Sequence, residues 1–149
     1  MLTTISKEVS LSPSEKTAFQ AFTVGMDHWW PRSHPVVKCS MVEQVLEQEP
    51  GGRWSRREDG GKVNFGCVFN WEPFQRLALV WQIDGHFQCR PDVVTEAELN
   101  FLVEGPEKTH ITLDHRDLQM LSGGTKVVER MNEDWEPIMN LYKGVADVL

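Results

Sequence analysis

The clearest pattern in the chain is a strict alternation of apolar and polar residues over two nearby segments. In TEAELNFLV, residues 95–103, one side carries Ala97, Leu99, Phe101 and Val103, and the other carries Glu96, Glu98 and Asn100. In HITLDHRD, residues 110–117, Ile111, Leu113 and His115 share a side. A period of two predicts strands with one packed face and one wet face. Because EGPEK between them fits a turn, we expect an antiparallel hairpin.

The C-terminal segment has the period of a helix instead. After Gly123-Gly124, apolar residues recur in steps of three and four: Val128, Met131, Trp135, Ile138, Tyr142, Val145 and Leu149. These residues form one stripe along a long helix. Pro137 lies within the pattern, so we expect a kink or break near Glu133. The stripe has to be buried, and the sheet is the element that can cover it.

The N-terminal part predicts one strand followed by two short helices. Residues 3–10 are β-branched and polar, as in a strand. In SPSEKTAFQAF, Ser12 is placed to cap a helix, with Pro13 in the first turn and Glu15 completing a capping box. Phe19 and Phe22 then share a face. A second short helix is expected from Met26 to Trp29, ended by the proline at position 31.

The middle of the chain predicts further strands separated by turns. Residues 41–46 have helical spacing, so this segment alone favours a helix. After Pro50-Gly51-Gly52, a strand places Trp54, Arg56 and Glu58 on one face, and Asp59-Gly60-Gly61 forms the next turn. Residues 62–71 and 76–83 are expected to pair as a hairpin broken at Pro73. The order predicts an α+β fold in which a curved antiparallel sheet grips one long C-terminal helix and leaves a pocket between them.

Composition narrows the classes of function. The 149 residues suit one domain, 1–149, and the net charge of −7 argues against nucleic-acid binding. No apolar run approaches the roughly 20 residues that span a bilayer, and the N-terminus has no signal-peptide pattern, so we expect a cytoplasmic protein without membrane insertion. The cysteines at 39, 67 and 89 fit reduced thiols. Asp27, His28 and His34 lack metal-ligand spacing, and no cofactor fingerprint is present, so we expect neither metal nor cofactor.

Seven short motifs, in this order, give the chain a resemblance to a known family. They are WWP at 29–31, PGGRW at 50–54, G-x-V-x-x-W-E-P at 66–73, RL-x-L-x-W at 76–81, TE-x-E-x-x-F at 95–101, T-L-x-H at 112–115 and DW at 134–135. Together they resemble the START-like, helix-grip superfamily of the birch pollen allergen and the polyketide cyclases. Within it, the chain is most similar to single-domain bacterial homologues of the activator of the heat-shock protein 90 ATPase.

The resemblance covers residues 5 to about 145 and implies a helix-grip fold. That fold has about six or seven strands around a C-terminal helix, with two short helices after the first strand. It also implies that residues 36–49 are strand, against their helical spacing. Function does not follow from fold. Members of the superfamily bind lipids, hormones or aromatic polyketides, and some catalyse cyclisation or dehydration.

Large rings on inward-facing positions suggest a lined pocket. The expected ligand-binding residues are Trp30, Trp54, Arg56, Phe65, Phe69, Trp81, Leu99, Phe101, Leu113, His115, Trp135 and Met139. The same rings also suit an ordinary packed core, and both interpretations remain open. Of Trp29 and Trp30, we expect one to pack inward and the other to border the entrance.

His115 is the candidate catalytic residue, because a neutral imidazole on the inner face can accept a proton near pH 7. The alternative is a hydrogen-bonded core histidine. Arg56 and Glu58 either form a polar patch inside the pocket or lie in solvent. Glu98 and Asp114 fall on the wet face, so we reject them as a catalytic dyad.

Three functions follow as hypotheses. The first is a module that binds a small hydrophobic or aromatic molecule between the sheet and the C-terminal helix. The second is a cyclase, dehydratase or hydrolase that uses His115 and Arg56. The third, ranked last, is a co-chaperone-like module whose partner is a heat-shock ATPase. The aromatic stretch WWPRSH also offers an exposed patch for a homodimer.

Overall fold

The computed structural model describes residues 3–29, 41–58, 61–82, 94–121 and 124–149, with backbone alone for residues 41–44, 56–58, 61–63, 120 and 124. Its elements in chain order are β1 (Ile5–Leu11), α1 (Glu15–Phe22), α2 (Met26–Trp29), β2 (Met41–Leu46), β3 (Arg53–Glu58), β4 (Gly61–Glu72), β5 (Arg76–Trp81), β6 (Thr95–Gly105), β7 (Lys108–Arg116) and α3 (Gly124–Ala146). A short 3-10 turn, Leu118–Met120, links β7 towards α3.

The strands form one seven-stranded antiparallel sheet in the order β1-β7-β6-β5-β4-β3-β2. The expected α+β helix-grip architecture is therefore confirmed, including both short helices after β1. The helical spacing of residues 41–46 was misleading, because this segment pairs with β3 as an edge strand. Pairing with a neighbouring strand overrides a weak local preference, as the family resemblance implied.

The β6–β7 hairpin follows the predicted alternation over most of its length. Leu99 lies opposite Leu113, and Ala97 lies opposite His115, all of them buried. Val103 departs from the pattern, because 60% of it is exposed. Val103 is still registered with Thr109, but it lies near the turn of the hairpin, directly before the register shift between Val103 and Gly105.

The cap of α1 lies two residues later than the sequence suggested. Ser14, not Ser12, is the N-cap, and its hydroxyl accepts a hydrogen bond from Thr17 N at 3.4 Å. Pro13 lies before the helix, where its carbonyl accepts from Thr109 Oγ1 at 2.9 Å. The Ser12–Glu15 capping box is therefore wrong. The buried pair Phe19 and Phe22 is as expected.

Helix α3 is continuous over 23 residues and contains Pro137 without a break at Glu133. Both of these residues are exposed, so the Glu133 carbonyl, which Pro137 cannot bond, faces water. The apolar stripe is buried from Val128 to Tyr142, and Val145 is half-buried. Leu149 is 68% exposed, because the helix ends at Ala146 and the period ends with it. None of the described helices is long and apolar enough to cross a membrane.

Replacing Gly144 by alanine is expected to raise the free energy of unfolding by about 0.5–1 kcal/mol. Gly144 lies in α3, and a methyl group there would meet nothing within 4 Å. Alanine has the better helix propensity and restricts the unfolded chain. Urea denaturation of the two proteins measures the difference, and a lower midpoint for the variant would contradict this reading of the exposed helix face.

Candidate ligand-binding site

Five buried rings from five elements meet at one end of the inner face of the sheet. We call them the indole cluster: Trp54 of β3, Phe65 of β4, Trp81 of β5, His115 of β7 and Trp135 of α3. Trp81 is central, with ring centroids 4.7 Å from Trp54, 4.9 Å from Trp135 and 5.2 Å from His115. Phe65 extends the cluster from Trp54 at 5.2 Å. The cluster therefore joins the sheet to α3.

Gly66 allows two strands that are not neighbours to share a ring contact. Trp54 in β3 and Trp81 in β5 are both registered with Gly66 of the intervening strand β4. Because Gly66 has no side chain, the two indoles meet across it. Phe65 is the extra residue where the β3–β4 register shifts. A bulge of this kind redirects side chains, here towards Trp54.

A hydrogen-bond relay ties the cluster together through His115, which is fully buried. Trp135 Nε1 donates to His115 Nδ1 at 3.0 Å. An indole nitrogen only donates, so Nδ1 carries no proton and the neutral ring bears its proton on Nε2. Nε2 then donates to Thr95 Oγ1 at 2.7 Å, and that hydroxyl donates to the Trp81 carbonyl at 2.9 Å. Burial lowers the pKa of His115 to about 3.

This geometry favours the core interpretation of His115 over the catalytic one. Both ring nitrogens are engaged, and the nitrogen with a free lone pair is the one that receives the Trp135 proton. To act as a base, His115 would have to give up its bond to Trp135 and accept a charge in a fully buried place. In this arrangement, the histidine positions α3 on the sheet.

Several other predicted residues lie outside the indole cluster. Leu99 and Leu113 are buried opposite each other in the centre of the sheet, and Phe101 packs on Phe19 with ring centroids 5.1 Å apart. Met139, one turn after Trp135, lines an open cavity of about 230 Å³ between β1 and α3, together with Lys7, Glu8, Val9, Glu136 and Asn140. Trp30 and the side chain of Arg56 lie outside the described residues, and so does the side chain of Glu58.

Phe69 does not face the interior, because 65% of it is exposed. The β4–β5 register passes from Val68–Leu79 to Asn70–Ala78, which leaves Phe69 as the extra residue of a bulge. The prediction continued the alternation from Phe65 without that insertion. One inserted residue is enough to turn a side chain to the outer face.

Glu98 and Asp114 lie on the outer face, as expected. Arg76 Nη2 contacts the Glu98 carboxylate at 2.5 Å, and Arg116 Nη1 contacts it at 3.4 Å. The hydrogen bond from Arg76, opposed by partial burial, lowers the pKa of Glu98 to about 2. Ser6 donates to Asp114 at 2.8 Å. Glu98 is therefore part of a surface ion-pair network, and Asp114 is held by Ser6 on the same outer face.

The sequence analysis missed a second aromatic group around α1. Phe19 contacts Trp71 and Phe74 at ring-centroid distances of 5.0 and 5.7 Å. Trp29 packs inward, and its Nε1 donates to the Ala21 carbonyl at 2.8 Å. Tyr142 of α3 donates to the Ala18 carbonyl at 2.6 Å. Steps of three and four along α1 signalled its buried face, but no signal identified its partners in β4 and in the turn that follows.

In the part of the chain that the structure describes, no group of three or more His, Cys, Asp or Glu residues could hold a metal ion. His34, one of the residues considered above, lies outside that part. Cys67 is a free, half-buried thiol, and Cys39 and Cys89 also fall outside the described ranges.

Comparison with known proteins agrees with the fold. A family model described as activator of Hsp90 ATPase homolog 1-like protein matches residues 13–143. No curated protein matches the chain. Among solved structures, an anthrahydroquino-gamma-pyrone synthase, Txn09, complexed with SUM, is 29% identical, with 97% of each chain covered and a TM-score of 0.68.

Two more distant structures share the fold. The self-sacrificing resistance protein CalC from Micromonospora echinospora is 24% identical and has a TM-score of 0.72, with 97% of this chain and 94% of CalC covered. The Aha1 dimer from Colwellia psychrerythraea is 14% identical and has a TM-score of 0.69, with 99% and 98% covered. Relatives of this fold thus include a synthase, a resistance protein and a dimer.

Proposed function

The chain belongs to the family of activator of Hsp90 ATPase homolog 1-like proteins, and from this premise we propose that it binds a small hydrophobic or aromatic molecule between the sheet and α3. The observation that carries the proposal is the indole cluster, in which three indoles, a phenyl ring and a neutral imidazole form one contiguous buried surface. The similarity to a gamma-pyrone synthase solved with a bound molecule supports a ring-containing ligand.

The cluster offers a ligand mainly rigid apolar area. Burying about 200 Å² of apolar ligand surface contributes roughly 5 kcal/mol at 25 cal/mol per Å². Each favourable ring contact adds about 0.5–1.5 kcal/mol. The hydrogen bonds of the relay leave His115 uncharged. A flat neutral ligand ring can therefore lie against the imidazole without burying a charge.

Access to the cluster requires α3 to move slightly from the sheet, because Trp81 and Trp135 are in contact at 4.9 Å. The C-terminal half of α3 is held by Tyr142 on Ala18 and by Lys143, whose Nζ donates to the Ser10 carbonyl at 2.9 Å. Trp135 lies on the other side of Pro137, where the helix lacks one backbone hydrogen bond. We therefore propose that the ligand enters beside the N-terminal half of α3, on the Trp135 side of Pro137.

Titration with 1,8-dihydroxyanthraquinone is expected to quench tryptophan fluorescence saturably and to raise the melting temperature. Trp81→Leu removes the central ring and should weaken binding about tenfold or more, since a lost aromatic anchor costs over 1 kcal/mol. Trp71→Phe is the matched control, because Trp71 packs on Phe19 in the second aromatic group, and its affinity should stay unchanged.

Circular dichroism confirms that each variant is folded before it is titrated. Saturable binding that Trp81→Leu weakens and Trp71→Phe does not supports the proposal. An absence of saturable binding, or an equal loss in both variants, would overturn it. Mass spectrometry of natively purified protein adds the identity of any co-purified molecule.

The other hypotheses have less support among the described residues. Catalysis by His115 requires the relay to open, because Trp135 occupies the lone pair that a base would use. A co-chaperone-like role is supported by the family description alone, and no described contact favours it. Ligand binding is therefore the function that the geometry supports best.

A further inference from the structure

A second cavity lies on the opposite, outer face of the sheet, beside the β4 bulge. It measures about 150 Å³ and is lined by Phe69, Val80, Val94, Thr95, Glu96 and Asp117. We call it the bulge pocket. Its apolar walls are the bulged Phe69, which is 65% exposed, and Val94, which is 48% exposed. Val80 and Glu96 are registered partners on β5 and β6. Trp81 and Thr95, the next pair in that register, direct their side chains to the indole cluster, so the sheet separates the two sites.

Among the described residues, two charged side chains line the bulge pocket, and both are acidic. The Glu96 carboxylate is 3.5 Å from Arg116 Nη1, and the same Arg116 nitrogen also contacts Glu98 at 3.4 Å. Arg116 is not a lining residue. Asp117 follows β7 with a left-handed backbone, φ 64°, and is exposed. Its carboxylate makes no hydrogen bond or ion pair with the described residues. The pocket thus combines an apolar floor with a carboxylate, that of Asp117, which has no counterion in the part of the chain that the structure describes.

We propose that the bulge pocket binds an amphipathic organic cation, with one apolar ring and an ammonium or guanidinium group. The size follows from the volume, because a cavity of about 150 Å³ holds a benzene ring. The charge follows from Glu96 and Asp117, which attract a cation and repel an anion. Bare Ca²⁺ or Mg²⁺ fits poorly, because each requires six or more oxygen ligands and the walls are largely apolar. This site does not depend on the function proposed for the indole cluster.

Three probes that share a phenyl ring and differ in charge test the proposal: phenethylammonium, 2-phenylethanol and 3-phenylpropionate. Heteronuclear NMR of the full chain should show saturable shifts of the Val80 and Val94 signals with phenethylammonium, with a Kd of about 1–10 mM for so small a ligand. The neutral alcohol should bind about fivefold more weakly, because one partly screened ion pair is worth about 1 kcal/mol. The carboxylate should bind more weakly still.

Two variants assign the site. Asp117→Asn keeps a residue that tolerates a left-handed backbone and removes the charge, so phenethylammonium should bind about fivefold more weakly while 2-phenylethanol is unaffected. Phe69→Ser should weaken both probes. Glu107→Gln, in the exposed turn between β6 and β7, is the matched control for net charge and should change neither affinity.

The proposal is overturned if 2-phenylethanol binds as tightly as phenethylammonium, or if Asp117→Asn and Glu107→Gln have the same effect. It is also overturned if none of the probes shifts Val80 and Val94 at about 50 mM, well above the Kd expected for a ligand of this size. Because Asp117 and Phe69 are exposed, both variants should fold, and a wild-type amide spectrum away from the pocket verifies this.

Discussion

Gly66→Ala is expected to destabilise the protein by about 3 kcal/mol or more, the largest effect of any single substitution considered for this chain. A Cβ atom at this position would lie 1.7 Å from the Val80 carbonyl oxygen and 2.9 Å from its carbon. These are backbone atoms of β5, which pairs on both sides within the sheet. They cannot move aside as a flexible side chain does, so β4 and β5 must separate next to Trp54 and Trp81.

Urea denaturation followed by far-UV circular dichroism measures the loss. Near-UV circular dichroism reports whether the packing of the indole cluster changes with it. Gly105→Ala is the matched control, because a Cβ atom there would meet nothing within 4 Å, and its effect should stay below about 1 kcal/mol. A Gly66→Ala protein as stable as the wild type would mean that the close approach of β4 to Val80 is not required by the fold.

Acidification is expected to destabilise the protein through His115. The pKa of this residue is lowered from 6.5 in the unfolded chain to about 3 in the folded protein, because burial penalises the charged ring. The unfolded state therefore binds the proton first as the pH falls below 6.5. Stability is full above that pH and declines down to about pH 3, with a loss of about 2–3 kcal/mol at pH 4.5. Protonation also places two N–H groups, those of His115 and Trp135, against each other.

Denaturant titrations between pH 7.5 and 4.5 measure this loss. Glu98 and Asp147, whose pKa values are lowered, add to it only towards the lower end of that range. His115→Gln should lower stability at neutral pH yet flatten the decline. His110→Gln, half-exposed near Glu8 and Glu104, should keep most of the decline. An unchanged slope in His115→Gln would show that another group controls the acid sensitivity.

Regular periodicity predicted the elements whose side chains alternate or repeat without interruption. The β6–β7 hairpin and α3 were placed from the residues alone, and the inward position of His115 followed from its parity with Leu113. The alternation of inward and outward side chains failed at or beside register shifts. Phe69 lies at a bulge, and Val103 lies beside a register shift, and neither irregularity has a signature in the sequence. Residues 41–46 form a strand because they pair with β3, and the spacing of apolar residues within this segment does not predict that pairing.

The candidate site was predictable only as a set of inward-facing rings. Parity places Trp54 and Trp81 on the inner face of their own strands, but these strands are not adjacent. Their contact depends on the order of the sheet and on a glycine between them. The relay through Thr95 likewise joins three strands and a helix. Contacts of this kind follow from tertiary structure and cannot be derived from spacing along one segment.

The relay from Trp135 to the Trp81 carbonyl has a fixed direction. The Trp135 indole can only donate a hydrogen bond, and the Trp81 carbonyl can only accept one. The hydrogen bonds of His115 and Thr95 between them must therefore all run in the same direction. Positions 95, 115 and 135 therefore cannot be exchanged one at a time without stranding a buried polar atom. A redesign of the indole cluster, for instance to admit a bulkier ligand, therefore has to replace these three hydrogen-bonded residues together.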